Sequence, residues 1–329
     1  MKAYKIKKHT LSVFISLLIF FSLLLTSGFR IGGYDYTNYV DMITFTQSVD
    51  TIFSKIFIAK DPMFGLIVGF TNPRHRDEYW MVFLSIASLA YLGKLFFIND
   101  IRRCTFFSII YVILLAPGLD FAAIRALLGM VFLLSALSYL SSGRDNLYYV
   151  FSFLAVISHI SMLLPILLSS KIINDFFYKN KALVFLIVLC ISIFTKPILS
   201  LFSNAAGYID VSGSFFAFFP PILMLLASFI LGYLISLQVQ TEFCVRAYNL
   251  SILIAVMSFG FTFQVVVASS RFLQVSQFLF LVVLCCVCFK KNVFNIMLFS
   301  VAFLLFSIPL LYQNYDFDLW RSAWENINL

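Results

Sequence analysis

The chain has 329 residues, of which 62% are hydrophobic, 41 are phenylalanine and only 12% are charged; the mean hydropathy is +0.98 and the formal net charge +8. Soluble domains carry about 45–50% apolar and about 25% charged residues, so this composition excludes a water-soluble globule and points to an integral membrane protein. No basic stripe with interleaved aromatics lies outside the apolar runs, which excludes nucleic acid as a partner and leaves the positive charge to set orientation in the membrane.

Repeated apolar runs of roughly 20 residues match the length a helix needs to cross a bilayer, and the alternating short segments of a barrel are absent. Lys2, Lys5, Lys7 and Lys8 precede the first run, Leu11 to Ser27. The run is too long and too rich in phenylalanine for a cleaved signal peptide, so it predicts a retained helix with its N-terminus in the cytoplasm.

Residues 28–78 then form an outer segment. It holds FRIGGYDYTNYV at 29–40, an amphipathic piece from Ile52 to Ile58, and DPMFGLIVGFTNPRHRDEYW from Asp61 onward. The run Met63 to Phe70 is too short to span and predicts a helix lying in the interface or dipping partly into the membrane. The charges Arg74, His75, Arg76, Asp77 and Glu78 read as an interfacial cluster.

Tyr79 to Ile98 runs inward to Arg102 and Arg103, Cys104 to Ala116 outward, and Ala122 to Leu140 inward to Arg144. Residues 147–170 resemble one long helix, yet both flanks carry the inside mark: Arg144 before, Lys171, Lys179 and Lys181 after. Two half-helices meeting near ISHIS at 157–161 resolve the parity. They form a re-entrant hairpin opened from the cytoplasm, with His159 near its tip. Irregular backbone at membrane depth is tolerated only against protein or a wet cavity, so the break itself marks a site.

Ala182 to Leu201 then runs outward, 203–214 lies outside and Phe215 to Leu237 returns. Tyr248 to Ala268 and Phe272 to Phe289 make a pair around Arg271, and Val293 to Tyr312 leads out. The expected fold is all-α: a polytopic inner-membrane helical bundle of about nine crossings plus one broken re-entrant hairpin, read as a single domain over 1–329 without internal repeats.

Three arginines, Arg30, Arg125 and Arg271, sit at outer mouths of these helices. A guanidinium there either snorkels to lipid headgroups or meets a counter-charge, and its planar fork suits phosphate. Arg125 is bracketed by Ala122, Ala123, Ala126 and Gly129, small residues that a headgroup anchor does not require. In the outer motif Gly32 and Gly33 permit unusual backbone angles. Asp35 and Asn38 offer acceptors and donors, and Tyr34, Tyr36 and Tyr39 offer flat faces, as a sugar surface requires; an interfacial aromatic belt with a helix cap at Asp35 explains only part of this set. His159 is a hydrogen-bonded packing residue, a proton carrier or a phosphate partner. The six cysteines lie in or beside apolar runs without metal-site spacing. Phosphate-loop, dinucleotide, zinc-hydrolase and nucleophile-elbow motifs are absent, as is an outer acidic pair for a nucleotide sugar.

FRIGGYDYTNYV after the first helix, DPMFGLI, AAIRALLGMVFLLSALSYL and LAVISHISMLLPILL, in that order through the first half of the chain, resemble the bacterial EpsG-like and Wzy-type polysaccharide polymerases. Ala126 stands where a common family form has glutamine. The resemblance implies transfer of a lipid-linked oligosaccharide from undecaprenyl pyrophosphate to the non-reducing end of a second lipid-linked unit, as in O-antigen or related surface polysaccharide. It places the reaction at the periplasmic face of the inner membrane and implies a helical fold like those of GT-C membrane glycosyltransferases. On that reading Arg125 and Arg271, with Arg30 as a third, hold the pyrophosphate, while His159 or Asp35 is the base. Tyr34, Tyr36 and Asn38 meet sugar. Lipid-linked oligosaccharides and membrane lipid are the implied partners, a chain-length regulator is a further candidate, and no cofactor or metal is called for.

Three other readings compete. An O-antigen ligase usually has a larger late outer loop than 203–214. A flippase for the same lipid should show inverted repeats and midplane substrate groups, neither of which is found. A membrane O-acyltransferase is the third.

Overall fold

Helices make up the regular structure of the computed structural model, which describes residues 2–30, 35–59, 61–195, 215–290 and 292–316. Seven described helices are long and apolar enough to cross a membrane, and eight if the bent pair Ile160–Ser169 and Lys171–Phe177 is one span. Two of the about nine expected crossings fall short of that length: α6 (Cys104–Leu119), which contains a π-helical stretch at Tyr111–Leu115, and α11 (Lys181–Ile193), which runs toward residues outside the description. The outer segment expected at 203–214, and Lys196 of the expected crossing Ala182 to Leu201, also lie outside it.

The chain divides into two compact units. The first comprises Met1–Ile166 and Leu310–Leu329. In it α1 (Lys2–Gly28) packs on α5 (Trp80–Phe97) and α6. With apolar lipid on the outside, packing and polar contacts hold membrane helices together rather than the hydrophobic effect. Ser12 and Thr105 share a hydroxyl hydrogen bond of 2.7 Å, and Phe20 sits edge-on to Phe107 and Tyr111. Gly93 of α5 lets α7 (Ile124–Ser141) approach: a Cβ there would collide with Val131, and Ser135 Oγ donates to the Gly93 carbonyl at 3.1 Å. From the chain's far end, Asn314 Nδ2 donates to the Leu114 carbonyl at 3.1 Å.

The outer segment carries three helices: α2 (Tyr36–Gln47), α3 (Ile52–Ile58) and α4 (Pro62–Thr71). The amphipathic piece and the short apolar run are therefore α3 and α4; α2 begins directly after Asp35, the residue read as a helix cap. Thr51 Oγ1 caps α3, and α3 and α4 fold together as a hairpin because Gly65 lets the Lys55 carbonyl come where a side chain would stand. Lys55 Nζ donates to Asn72 Oδ1 at 3.1 Å, and Asn72, at φ 40°, ends α4 in the left-handed region that asparagine tolerates. α8 (Asp145–Ser158) ends at His159, and after one 3₁₀ turn α9 (Leu163–Ser169) begins. The helix break thus stands within the ISHIS stretch.

The second unit, Leu167–Pro309, contains α10 (Lys171–Lys179), α11, α12 (Phe219–Ser236), α13 (Glu242–Phe261) and α14 (Val266–Cys286). The last helix, α15, is Val293–Asp316. α13 and α14 are joined by a short turn and locked by two reciprocal serine pairs. Ser251 Oγ donates to the Ser276 carbonyl at 3.0 Å and Ser276 Oγ to that of Ser251 at 2.8 Å; Ser258 and Ser269 exchange the same bonds at 2.8 Å each way. This corrects the expected boundaries. Hydropathy puts the pair at 248–268 and 272–289 around Arg271, whereas the turn lies at 262–265 and Arg271 in the second turn of α14. The polar residues around 269–271 resemble a loop in the sequence but are helical, with Ser269 spent on Ser258. Arg246, paired with Glu242 at 2.7 Å one turn back, lies inside α13 rather than before it.

Candidate functional site

The Asp61–Pro62 pair fixes the first part of the site. Proline disfavours helical angles in the preceding residue, and Asp61 is extended at φ −122°, ψ 123° at the N-cap of α4. Its side chain makes no capping hydrogen bond. It turns instead to two distant residues: Arg125 Nη1 donates to Asp61 Oδ2, and His159 Nδ1 lies 3.2 Å from Oδ1 and 3.3 Å from Oδ2.

The break after α8 completes this arrangement. His159 is extended at φ −159°, ψ 115°, so the Ile160 N–H loses its place in the helical ladder and donates to Asp61 Oδ1 at 3.2 Å. Asp61 is therefore anchored by a guanidinium, an imidazole and a backbone amide. Burial pushes its carboxyl toward protonation, but the His159 hydrogen bond and charge, then Arg125 and the Ile160 amide, outweigh this and hold it below the usual carboxylate range. An ionised Asp61 only accepts, so His159 Nδ1 carries the proton it shares with Asp61, and Nε2 is the ring nitrogen that Asp61 does not use. Asp61 has a side-chain exposure of 2%, against 17% for Arg125 and 20% for His159, so a ligand can reach the latter two and not the carboxylate that joins them.

Gly129, one turn into α7 from Arg125, makes this junction close. A Cβ there would lie 2.7 Å from Met162 Cγ and 3.3 Å from both the Ala155 carbonyl and His159 Cβ. Gly129→Val is expected to destabilise the protein by about 1–3 kcal/mol through overpacking. Thermal unfolding of the detergent-solubilised protein checks this, and an unchanged midpoint would show that the helices separate without consequence.

Arg30 lies under the same cluster but does a different job. It is 1% exposed, and its Nη1 donates to the carbonyls of Asp120 (3.3 Å) and Phe121. Its guanidinium stands 4.6 Å from the Phe83 ring centroid and 5.4 Å from that of Tyr39, while Arg125 stands 5.3 Å from Tyr39 and 5.5 Å from Phe64. Burial draws the Arg30 guanidinium below its usual range, opposed by Tyr39, Asp35, Asp120 and Tyr36. Tyr39, 2% exposed, is the aromatic plate common to both arginines.

The structure thus gathers Arg30, Asp35, Tyr36, Arg125 and His159, all singled out from sequence, in the first unit. Tyr36 stacks on Phe83 with ring centroids 5.4 Å apart, and Asn38 Nδ2 donates to Asp35 Oδ1 at 2.5 Å on the exposed face of α2. Tyr34, with Gly32 and Gly33, lies outside the described residues. Arg271 belongs to the second unit, where it is exposed and, among the described residues, forms no salt bridge. Asp61 was missed as a site residue. The signal was available: an arginine at membrane depth needs an acidic partner, and the acidic residue before Pro62 sits ahead of an apolar helix. Lys94 and Asp120, a buried pair at 3.5 Å, were also missed. Among the described residues no three His, Cys, Asp or Glu groups converge to hold a metal ion.

No curated protein and no solved structure matches the chain. A family model described as the EpsG family matches residues 13–325, nearly the whole length. The chain therefore belongs to the EpsG family, whose members are Wzy-like polysaccharide polymerases.

Proposed function

We propose that this multi-pass membrane protein joins lipid-linked oligosaccharide units, moving the glycan from an undecaprenyl pyrophosphate carrier to the non-reducing end of a second carrier-linked unit at the periplasmic face of the inner membrane. The observation that carries the reading is the Asp61 carboxylate, which binds Arg125 and His159 together while leaving the outer parts of both side chains accessible. Family membership supplies the class of reaction.

The leaving group is a diphosphate, so catalysis consists mainly of holding charge and aligning two sugars. The acceptor hydroxyl oxygen forms a bond to the donor's anomeric carbon as the bond from that carbon to the diphosphate oxygen breaks. His159 Nε2 takes the hydroxyl proton, and Asp61 steadies the resulting imidazolium through Nδ1. The diphosphate leaves with the electron pair, and Arg125, its Nη1 committed to Asp61 and its Nε buried, turns Nη2 to the departing oxygens. Arg30 holds the turn that precedes Arg125, and Arg271 is assigned no step. Asp35, Tyr36 and Asn38, on the face of α2, form the sugar-contacting rim. An apolar cavity of about 520 Å³, walled by Met63, Ile67, Leu89, Phe96 and Phe132, supports a lipid carrier, since the helix that Asp61 begins forms one of its walls.

The test is a deletion strain. Its surface glycan is expected to collapse to a single repeat unit and to regain its ladder with the wild-type chain. His159→Gln, which keeps a hydrogen bond but cannot take the proton, is expected to lower polymer formation about 100- to 10,000-fold at normal protein levels. An unchanged glycan on deletion ends the functional reading; a full ladder from His159→Gln removes the base.

A further inference from the structure

A second set of buried charges lies in the first unit and takes no part in the chemistry just described. Lys94, in the last turns of α5 and 3% exposed, pairs with Asp120, 4% exposed, at 3.5 Å. Tyr111 OH donates to the other Asp120 oxygen at 2.5 Å, and the Lys94 ammonium lies 4.6 Å from the ring centroids of both Phe20 and Tyr111. Arg30 holds the Asp120 and Phe121 carbonyls from the other side.

Stability alone does not explain such a set. A charged side chain within a membrane helix is unfavourable by about 2.5–3.5 kcal/mol on insertion scales, and exchanging a buried ion pair for apolar residues is often neutral or stabilising. What the pair does is fix one segment of backbone. After α6 the chain makes wide turns, with Phe121 N–H donating to the Ala116 carbonyl at 3.2 Å and Ala123 N–H to that of Gly118 at 3.1 Å, before α7 begins at Ile124. Asp120 is gripped at its backbone by Arg30 and at its carboxylate by Lys94 and Tyr111, and Arg125 follows five residues later.

We infer that Lys94 is a positioning residue for Arg125: through Asp120 it locks the turn that starts α7 and so sets where the guanidinium meets Asp61. The inference rests on the reading of Arg125 as the diphosphate grip only for its effect on activity, not for its effect on geometry. The two are measured separately.

The experiment uses the full-length chain in lipid nanodiscs with ¹⁵N-labelled arginine, the Arg125 side-chain signal being identified by its loss in Arg125→Lys. The variant is Lys94→Met combined with Asp120→Asn, which removes both charges of the pair together and leaves Arg30 its hydrogen bonds to the Asp120 and Phe121 carbonyls. The expected result is a folded protein whose Arg125 Nε signal moves or broadens, while the glycan ladder of the complemented deletion strain weakens about tenfold or more. Tyr111→Phe, nearly isosteric, removes one grip on Asp120 and is expected to shift the same signal in the same direction. An Arg125 signal unchanged in the double variant overturns the inference, as does an unchanged signal in Tyr111→Phe if the double variant does not accumulate. A displaced signal with a full ladder upholds the positioning role and instead removes Arg125 from the reaction.

Discussion

Replacing Asp61 with asparagine is expected to lower polymer formation about 100- to 10,000-fold while the protein still accumulates in the membrane, as happens where an aspartate orients a catalytic histidine. The amide matches the carboxylate in shape but carries no charge and has one acceptor oxygen where Asp61 uses two, Oδ2 for Arg125 and Oδ1 for His159 and the Ile160 amide. An NH₂ group turned to His159 would favour the tautomer with its proton on Nε2, the nitrogen that has to be free. Alanine goes further, since it strands a largely buried guanidinium, and breaking such a pair destabilises by about 3–5 kcal/mol. Asn and Ala should therefore differ in protein level more than in ladder. A pH dependence follows from the lowered carboxyl of Asp61. Its contribution to stability is complete above the ordinary carboxylate range and is lost as pH falls through the lowered folded value. The gap in unfolding midpoint between wild type and Asp61→Asn is thus expected to hold steady from neutral pH down to that range and to close below it. A full ladder from Asp61→Asn would remove the carboxylate from the site.

Much of the fold is legible because a lipid-crossing helix declares itself by length, and the α3 and α4 segments, bounded by polar residues, stand out for the same reason. Boundaries are harder to read. Where every face of a helix is apolar, no period marks its ends, and Ser269 could not announce that it pairs with Ser258 across a turn rather than sitting in one. The site divides in the same way. Arg125 and His159 are conspicuous, being a guanidinium among small residues and a histidine where charge parity demands a break. Their partner is not conspicuous, because the contacts of Asp61 span 64 and 98 residues and leave no local pattern. Arg30 looked like a third phosphate ligand because sequence shows charge and depth but not which backbone carbonyls a loop leaves unmet. Asp120 and Phe121 have exposed theirs to it.

Arg125→Ala is expected to abolish the ladder, with Arg125→Lys about 10- to 100-fold below wild type, because lysine restores the charge but not the planar fork that serves a carboxylate and an oxyanion at once. Alanine also leaves Asp61, 2% exposed on its side chain, dependent on His159 and one backbone amide, so a loss of protein has to be separated from a loss of chemistry. Two measurements separate them. Arg125→Gln combined with Asp61→Asn leaves neither charge stranded and is expected to accumulate near wild-type amounts while still making no polymer. Membrane vesicles carrying Arg125→Ala, supplied with guanidinium ions, are expected to regain part of their activity, since the ion can occupy the hollow between the Tyr39 and Phe64 rings that the side chain vacates. Accumulation of the paired variant shows only that the lost protein came from the stranded charge, since Asp61→Asn by itself lowers polymer formation; the ion decides the chemistry, because with a merely structural arginine added guanidinium would change nothing. Because Arg125 is joined to Asp61, and Asp61 to His159, recovery by a free cation would also show that the remaining pair keeps its geometry when the guanidinium is no longer tethered to α7.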